Sequence, residues 1–249
     1  YPCTNFLTVN HSSQSHLFGS PSLSESQAGH IEAARQHDNI FFGLVDERVP
    51  IPGAVWQPNV ISELPPKQTP ADISRRHLLP ALACREDVVK NIPNQIIALK
   101  KARLPVLFHM PQGSKRILPY IKTYQLSHDY VSVCSFERWE YFLETISKYV
   151  RVGLQVSMTD SFNYVGVDHL MLGIPVVGSR TLRYLPEEWC AYPDDPSDIA
   201  RVLRNVYHGD WRYQQRKALL IADDLRQTNN SAYIQLLRKL ARVNERGKI

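Results

Sequence analysis

The sequence predicts an α/β protein in which a mostly parallel β-sheet is flanked by helices, and three observations support this. From about residue 74 to residue 210, short apolar runs of strand type alternate with segments of helical periodicity. Such alternation is typical of successive βαβ units, whose strands run parallel. The length of 249 residues is enough for a sizeable core. The composition, 43% apolar and 21% charged, excludes a disordered or fibrous chain.

The strands and helices of this region are predicted in order along the chain. The predicted strands are 77–84, 104–108, 130–134, 152–156 and 174–177. The predicted helices are 90–102, 114–126, 137–149, 162–172 and 197–207. Gly173 is expected to end the fourth helix, because glycine readily adopts the left-handed conformation found at helix C-termini. Parallel sheets bind ligands beyond the carboxyl ends of their strands, so we expect the functional site in the loops that follow these strands.

Three further segments surround this region. Residues 1–45 carry two strand-like runs and one helix that ends near Gln36, and we expect them to be the reduced or truncated end of an N-terminal domain. Residues 46–73 contain six prolines; because proline fixes φ and lacks an N–H group, this segment is predicted to be an interdomain linker. Residues 211–249 are predicted to form C-terminal helices, one over about 211–225 and another after residue 230.

The net charge indicates which classes of partner are favoured, and the cysteines indicate the cellular setting. The net charge is +5 and the pI about 9, which favours anionic partners such as nucleotides, acidic lipid or nucleic acid. A solvated basic surface explains the same charge equally well. The four cysteines are widely spaced and form no CxxC pair, which argues against a zinc or redox motif and favours a reducing, cytoplasmic setting.

The sequence contains no apolar run near the roughly 20 residues that a membrane-crossing helix needs. We therefore expect no transmembrane segment, and peripheral association with a membrane stays open. The chain begins with Tyr1 rather than Met, which suggests trimming or a start inside a longer protein.

The strongest signal for function lies in residues 153–179, which are predicted to form a strand, a polar loop, a helix and a second strand. The loop 157–161 places hydroxyl and backbone N–H groups at a helix N-terminus, a favourable site for an anion such as a diphosphate. Asp160 and Asp168 can face the same side, about 10–12 Å apart, and bind sugar and ribose hydroxyls. Taken alone, Asp160 is equally typical of a helix cap and Asp168 of a solvent-facing carboxylate.

This stretch resembles the fingerprint of the GT-B glycosyltransferases often called group 1 or family 4. The fingerprint is a serine, then Glu-Ser-Phe-Gly, a second Glu, and Ala-Met-Ala-x-Gly-x-Pro-Val-Val. The chain matches it without gaps at Ser157, Asp160-Ser161-Phe162-Asn163, Asp168 and the run 169–177. Both Glu positions hold Asp, which keeps the charge and shortens the reach by one methylene. The glycine is replaced by Asn163, a residue that tolerates left-handed backbone better than most.

The resemblance covers roughly residues 74–210 and implies a GT-B type fold with a Rossmann-like nucleotide-sugar-binding domain there. It implies a retaining glycosyltransferase that transfers a sugar from a nucleotide-diphosphate sugar to an acceptor, without a metal ion or other cofactor. The acceptor stays open among glycan, lipid, protein and nucleic acid. Residues 1–45 are too few for the N-terminal Rossmann-like domain of such enzymes, so we expect a partner chain or a further N-terminal region to complete the cleft.

The resemblance also implies roles for individual residues. Arg85 and Lys90 match the Arg and Lys with which the family neutralises the donor diphosphate, and Asp160 would orient the donor sugar. These three form the predicted catalytic set, and Asp168 is implied to hold the ribose. The other predicted donor-binding residues are Ser157, Thr159, Ser161, Phe162 and Asn163 of the motif, Ser135 and Phe136 beside the nucleobase, and His11 of the N-terminal segment.

Two alternatives stay open. A non-catalytic subunit that binds a nucleotide sugar, or acts as a scaffold, is favoured by the short N-terminal segment and by the two Asp residues at Glu positions. A narrower alternative keeps the enzyme and makes nucleic acid its acceptor, which the basic charge permits. For single residues the plainer interpretations are surface ion pairs for Arg85 and Lys90, a core ring for Phe136 and a polar surface loop for His11.

Overall fold

The structure, a computed structural model of the chain, describes residues 6–10, 21–37, 40–44, 54–65, 79–83, 88–111, 119, 122, 131–136, 138–160 and 162–246. The chain divides into two compact units. The first consists of Tyr1–Ser62 together with Leu225–Ile249, and the second of Glu63–Asp224.

The first unit contains a three-stranded parallel sheet in the order β1-β2-β3, formed by β1 (Phe6–Asn10), β2 (Ile40–Leu44) and β3 (Val55–Trp56). Helix α1 (Pro21–Gln36) connects the first two strands. The two predicted strand-like runs and the helix ending at Gln36 are present. The edge strand β3 was not predicted and lies inside the proline-rich segment, at a sheet edge where neighbouring prolines are tolerated.

The end of the chain belongs to the first unit and forms one continuous helix, Trp211–Arg246, instead of the predicted two. The predicted break falls at the polar stretch that contains Asn229 and Asn230. Asn230 Nδ2 donates to the Ile61 carbonyl at 3.1 Å, and its Oδ1 accepts from the Ile61 N–H at 3.0 Å. Because these amides bind another segment, they do not compete for the backbone groups of their own helix.

The second unit is built on a five-stranded parallel sheet in the order β6-β5-β4-β7-β8, which confirms the predicted parallel α/β architecture. The strands are β4 (Leu79–Ala83), β5 (Val106–Pro111), β6 (Val131–Phe136), β7 (Val150–Gln155) and β8 (Val176–Gly178). The helices are α2 (Ile92–Ala102), α3 (Trp139–Tyr149), α4 (Tyr164–Met171) and α5 (Pro196–His208). The long helix α6 (Trp211–Arg246) belongs to this unit up to Asp224 and to the first unit from Leu225. The predicted helix 114–126 lies outside the described residues except at 119 and 122.

The helices cover both faces of this sheet. Crossovers between parallel strands are right-handed, and the β4-to-β5 and β7-to-β8 connections run in opposite directions across the sheet. They therefore place α2 and α4 on opposite faces. Helix α3 packs against α4 and β7, and α5 packs against α2, β7 and β8.

A continuous apolar core lies between the sheet and α3. Its buried members come from β4, β5, α3, the start of β7 and the segment after α4: Ala81, Ala83, Leu107, Phe142, Leu143, Ile146, Val150, Leu172 and Ile174. Alternate residues of β4 point into this cluster, as expected for a strand with helices on both faces. The core therefore holds α3 and α4 against the half of the sheet on which the functional motif lies.

Helix α4 ends as the sequence predicts. Gly173 has φ +70°, its N–H donates to the Leu170 carbonyl at 2.9 Å, and the Ile174 N–H donates to the His169 carbonyl at 2.9 Å. This pair of bonds is the Schellman motif, which needs a left-handed residue at the position of Gly173.

We predict that Gly173→Ala lowers the free energy of unfolding by about 1–2 kcal/mol, because an L residue is strained in the left-handed region. Its Cβ would also lie 2.9 Å from Gln215 Cγ, so that side chain would have to shift. Gly29→Ala is the matched control: Gly29 lies inside α1, where a Cβ meets nothing within 4 Å, and alanine should stabilise by about 0.5–1 kcal/mol. Urea unfolding of both variants checks the opposite signs, and equal effects would contradict this account.

Candidate functional site

The candidate site lies where the chain reverses its direction across the sheet. From β4 the chain proceeds to β5 and β6, and it then returns to the other side of β4 as β7 and β8. The loops after β4 and β7 therefore leave neighbouring strands at their carboxyl ends and enter helices on opposite faces. Such a switch point is where doubly wound sheets bind ligands.

Two of the predicted catalytic residues meet at this point. Lys90 Nζ lies 2.7 Å from Asp160 Oδ2, with Lys90 21% exposed and Asp160 6% exposed. The same carboxylate oxygen accepts from Asn163 Nδ2 at 3.0 Å and from Ser157 Oγ at 3.4 Å. Three donors, one of them cationic, therefore fix the position of the buried carboxylate. The structure thus brings together Ser157, Asp160 and Asn163 of the motif with Lys90 from the segment before α2.

Asn163, not Asp160, caps the helix, so the interpretation of Asp160 as the cap is wrong. Helix α4 begins at Tyr164, and Asn163 Oδ1 accepts from the Gly166 N–H at 2.8 Å. The Asn163 backbone is left-handed, with φ 57° and ψ 77°. Asn163 therefore adopts the backbone conformation of the glycine it replaces, while its amide both caps the helix and supports Asp160. The Asp160 carboxylate is therefore not used to cap the N–H groups at the start of α4, and it accepts from other donors.

Buried amide side chains join the loops on the two sides of the switch point. Gln95 of α2 donates from Nε2 to the Lys90 carbonyl at 2.7 Å and accepts at Oε1 from the Val156 N–H at 2.9 Å. Asn91 Nδ2 donates to the Val156 carbonyl at 3.1 Å. The Met158 N–H completes the connection by donating to the Val89 carbonyl at 2.8 Å. These bonds fix the backbone that carries Lys90 relative to the backbone that leads to Asp160.

Gln155, the last residue of β7, extends this network toward Asp160. Its Nε2 donates to the Ala83 carbonyl at 2.9 Å, and its Oε1 accepts from Asn163 Nδ2 at 3.1 Å. A buried amide with both ends bonded rigidifies its surroundings. The carboxyl end of β4, the end of β7 and the residue that supports Asp160 are thereby connected through one side chain.

Asp168 is buried, with 9% exposure, so the interpretation as a solvent-facing carboxylate is wrong. Its Oδ1 accepts a 3.0 Å hydrogen bond from Trp139 Nε1. Burial raises the pKa of Asp168 to about 7, and the Trp139 hydrogen bond opposes that rise. Burial, together with the charges of Asp160 and Asp168, raises the pKa of Tyr184 well above its usual value. Tyr184 therefore stays protonated and donates to the Asn163 carbonyl at 3.2 Å.

The remaining predicted site residues are placed in part. Thr159 and Phe162 are half-buried, and the Phe162 ring lies 5.0 Å from that of Tyr164 and 5.9 Å from that of Tyr184. Ser135 and Phe136 end β6, where they pair in register with Met110 and Pro111. Arg85, Ser161 and His11 lie outside the described residues.

The sequence interpretation missed four residues of the site: Gln95, Trp139, Gln155 and Tyr184. The two glutamines had a usable signal, because each interrupts an otherwise apolar face of its helix or strand. Trp139 and Tyr184 had none, because their contacts depend on how α3 and the loop after β8 pack against α4.

The described residues contain neither a cluster of metal ligands nor a membrane-spanning helix. No group of three or more His, Cys, Asp or Glu side chains there could hold a metal ion. No described helix is both long and apolar enough to cross a membrane. The predicted independence from metals and the predicted location stay predictions.

No protein-family model and no curated protein sequence matches this chain, whereas solved structures do. A UDP-forming α,α-trehalose-phosphate synthase from Burkholderia xenovorans is similar with a TM-score of 0.54 and 16% identity, over 68% of this chain and 45% of that one. The E. coli trehalose-6-phosphate structure bound with UDP-2-fluoro glucose gives 0.54 and 14%, over 66% and 44%. A variant of S. aureus TarM in complex with fondaparinux, α-GlcNAc-glycerol and UDP gives 0.61 and 10%, over 82% and 43%.

These similarities confirm the fold: the chain has the GT-B type of α/β fold that the sequence predicted. At 10–16% identity they show the fold alone. The chain spans less than half the length of these structures. Membership of group 1 or family 4 stays a prediction.

We predict that Asp168→Asn stabilises the chain in a pH-dependent way. The folded-state pKa of about 7 lies above the ordinary 3.8, so the folded chain binds this proton more tightly than the unfolded chain. Asp168 therefore lowers the free energy of unfolding increasingly as the pH rises from about 4 to about 7. The variant should gain on the order of 4 kcal/mol at pH 8 and little at pH 4.

Urea unfolding at several pH values measures this gain. Asp194→Asn is the matched control, because Asp194 is an exposed carboxylate. A gain for Asp168→Asn that is equal at pH 4 and pH 8 contradicts the burial argument.

Proposed function

We propose that this chain is the donor-binding half of a retaining glycosyltransferase and that it holds a nucleotide-diphosphate sugar at the carboxyl ends of β4 and β7. The observation that carries the proposal is the ion pair between Lys90 and Asp160 at the switch point of a GT-B fold. A fixed cation for a diphosphate and a fixed carboxylate for sugar hydroxyls are the two groups that such a donor needs at its reacting end.

Lys90 would bind the diphosphate, together with Arg85 from the same loop. The ammonium group has three N–H donors, one of which goes to Asp160, and the side chain is partly exposed. When the bond between the anomeric carbon and the diphosphate breaks, negative charge accumulates on the leaving oxygen. A cation that is already held in place stabilises that charge without reorganisation. The backbone bonds around Lys90 supply this placement.

Asp160 would orient the donor sugar by accepting hydrogen bonds from its hydroxyls. The acceptor hydroxyl would then attack the anomeric carbon from the face on which the diphosphate leaves. The new bond joins the acceptor oxygen to the anomeric carbon, the bond to the diphosphate breaks, and the acceptor proton passes to a departing phosphate oxygen. Retention of configuration follows from attack on that face.

The other contacts follow from the motif. Asp168 would hold the ribose, Ser157, Thr159 and Ser161 would line the diphosphate, and Ser135 and Phe136 would lie beside the base. His11 would be a further contact of the donor sugar, as the family resemblance implies. The E. coli and TarM structures hold UDP-2-fluoro glucose and UDP, so UDP sugars are the first donors to test, with GDP and ADP sugars next. The chain spans less than half of these proteins, so the acceptor and complete transfer belong to the proposal.

We predict that Lys90→Met weakens binding of the nucleoside diphosphate at least tenfold and leaves binding of the nucleoside unchanged, because a charge-assisted hydrogen bond contributes about 1.5–3 kcal/mol. Lys217→Met is the matched control: Lys217 is also a partly exposed lysine paired with a carboxylate, that of Glu188. Calorimetry with UDP and uridine measures both affinities. Equal losses for the two ligands would refute the diphosphate assignment, and circular dichroism checks that the variants are folded.

We predict that Asp160→Asn lowers sugar transfer by about 10²-fold or more, because a group that stabilises the transition state through a fixed hydrogen bond contributes on this scale. The amide oxygen of the variant can still accept from Asn163 and Ser157, so the loop should keep its conformation. Release of nucleoside diphosphate from UDP-, GDP- or ADP-glucose, with and without acceptors, measures the effect. Unchanged release in the variant would sink the assignment. Donor binding with no release by the unaltered chain would favour the non-catalytic alternative.

A further inference from the structure

Trp139 stands between the functional motif and the rest of the domain. It is the first residue of α3, the residue is 38% exposed, and its Nε1 donates to Asp168 Oδ1 at 3.0 Å. Within the described part of the chain, this is the hydrogen bond that the buried Asp168 side chain accepts. A single neutral donor therefore determines where that carboxylate points.

The packing of α3 against α4 holds the indole in this place. Phe142, one turn after Trp139, is buried between two rings, 4.9 Å from that of His109 and 5.8 Å from that of His169. Asp168 and His169 are consecutive on α4. Two side chains one turn apart on α3 therefore contact two adjacent residues of α4, which fixes the helices relative to each other. Gly153 leaves room for the His169 ring, since a Cβ there would lie 2.9 Å from His169 Cδ2.

The charge of Asp168 depends on this contact. Burial favours the neutral carboxyl and raises its pKa to about 7, while the indole hydrogen bond favours the carboxylate and opposes the rise. Among the described residues of the site, Lys90 supplies a positive charge, but its Nζ is paired with Asp160 Oδ2 at 2.7 Å, and Tyr184 on the loop after β8 keeps its proton. The titratable neighbour of Asp168 on α4 is His169, whose Nδ1 is hydrogen-bonded to the Val165 carbonyl at 2.7 Å.

We propose that Trp139 is a positioning residue for the nucleotide sugar: its indole N–H, 3.0 Å from Asp168 Oδ1, orients this carboxylate to accept the ribose hydroxyls. The inference rests on the proposed function, in which Asp168 holds the ribose. A carboxylate accepts from two hydroxyls, whereas a protonated carboxyl has one acceptor fewer. Donor affinity therefore changes with pH near neutrality, and the midpoint pH of this change depends on Trp139.

The first experiment measures binding of UDP-, GDP- and ADP-glucose between pH 6 and pH 8.5 by calorimetry. In these donors both phosphates are esterified, and the bases keep their ring protons over this range, so the ligand charge is nearly constant. We expect the unaltered chain to bind one of them about tenfold more weakly at pH 6 than at pH 8. Trp139→Phe should shift the midpoint upward by about one pH unit, giving about fivefold weaker binding at pH 7 and nearly unaltered binding at pH 8.5.

Two controls separate this effect from a loss of packing. Trp56→Phe replaces a tryptophan of similar exposure, 41%, in the first unit and should leave the profile unchanged. Asp168→Asn removes the titrating group and should bind weakly at every pH, with no inflection near pH 7. Equal weakening by Trp139→Phe at all pH values, or an unshifted midpoint, overturns the positioning role of Trp139 and leaves the proposed function standing. Failure of the unaltered chain to bind any of the three donors overturns the proposed function and this inference with it.

A second measurement needs no ligand. In a ¹H–¹⁵N spectrum, the indole signal that Trp139→Phe deletes should shift with pH around a midpoint near 7, because its acceptor changes charge. The same signal should not titrate in Asp168→Asn. An indole signal that stays constant across neutral pH in the unaltered chain shows that Trp139 does not sense Asp168, and it overturns the inference even if the donor binds.

Discussion

The candidate site depends on the buried amides that join the loops after β4 and β7. At a switch point the two strands are paired, but their loops diverge toward opposite faces, and the sheet itself does not fix the distance between them. Gln95 bonds Lys90 and Val156 at once, and Gln155 bonds Ala83 and Asn163. Each amide satisfies backbone groups that would otherwise be buried without a partner, which is costly. The same bonds therefore stabilise the loops and hold the cation of one loop against the carboxylate of the other.

The site also contains features that lower stability. Asn91 and Asn163 adopt left-handed backbone conformations, and Asp168 is buried with its pKa raised to about 7. Such features persist where the surrounding structure determines them strongly, and here the side-chain bonds of Asn91 to the Val156 carbonyl and of Asn163 to Asp160 supply that support. Arg103 at the end of α2 is also left-handed but lies outside the site, so it is the combination of strained backbone with a buried carboxylate that is typical of a site selected for binding at some expense of stability.

The sequence predicts the parts of this fold that rest on local patterns. The strand and helix order and the glycine at the end of α4 follow from periodicity and local patterns, whereas the placing of Lys90 in the same site as Asp160 follows only from the family resemblance. The rest depends on tertiary contacts. Whether α6 breaks near Asn229 depends on whether its amides find partners elsewhere, and they bind Asn59 and Ile61. Asn163 rather than Asp160 caps the helix, and the Asp160 carboxylate is instead bonded to Lys90, a contact between residues 70 positions apart that the local pattern does not predict.

The two carboxylates of the motif lie in different environments, and this difference agrees with the different roles proposed for them. Asp160 is close to a cation and two further donors, so the protein itself compensates its charge. Asp168 accepts one hydrogen bond from a neutral indole, and its burial is only partly compensated. The carboxylate that gains more from additional hydroxyl donors is therefore Asp168. A ribose provides two adjacent hydroxyls, and binding them would return part of the stability that burial of the charge removes. In the proposed complex, the nucleotide would thus compensate a buried charge that the described residues compensate only in part, and the sugar and diphosphate would meet a carboxylate and a cation that are already paired.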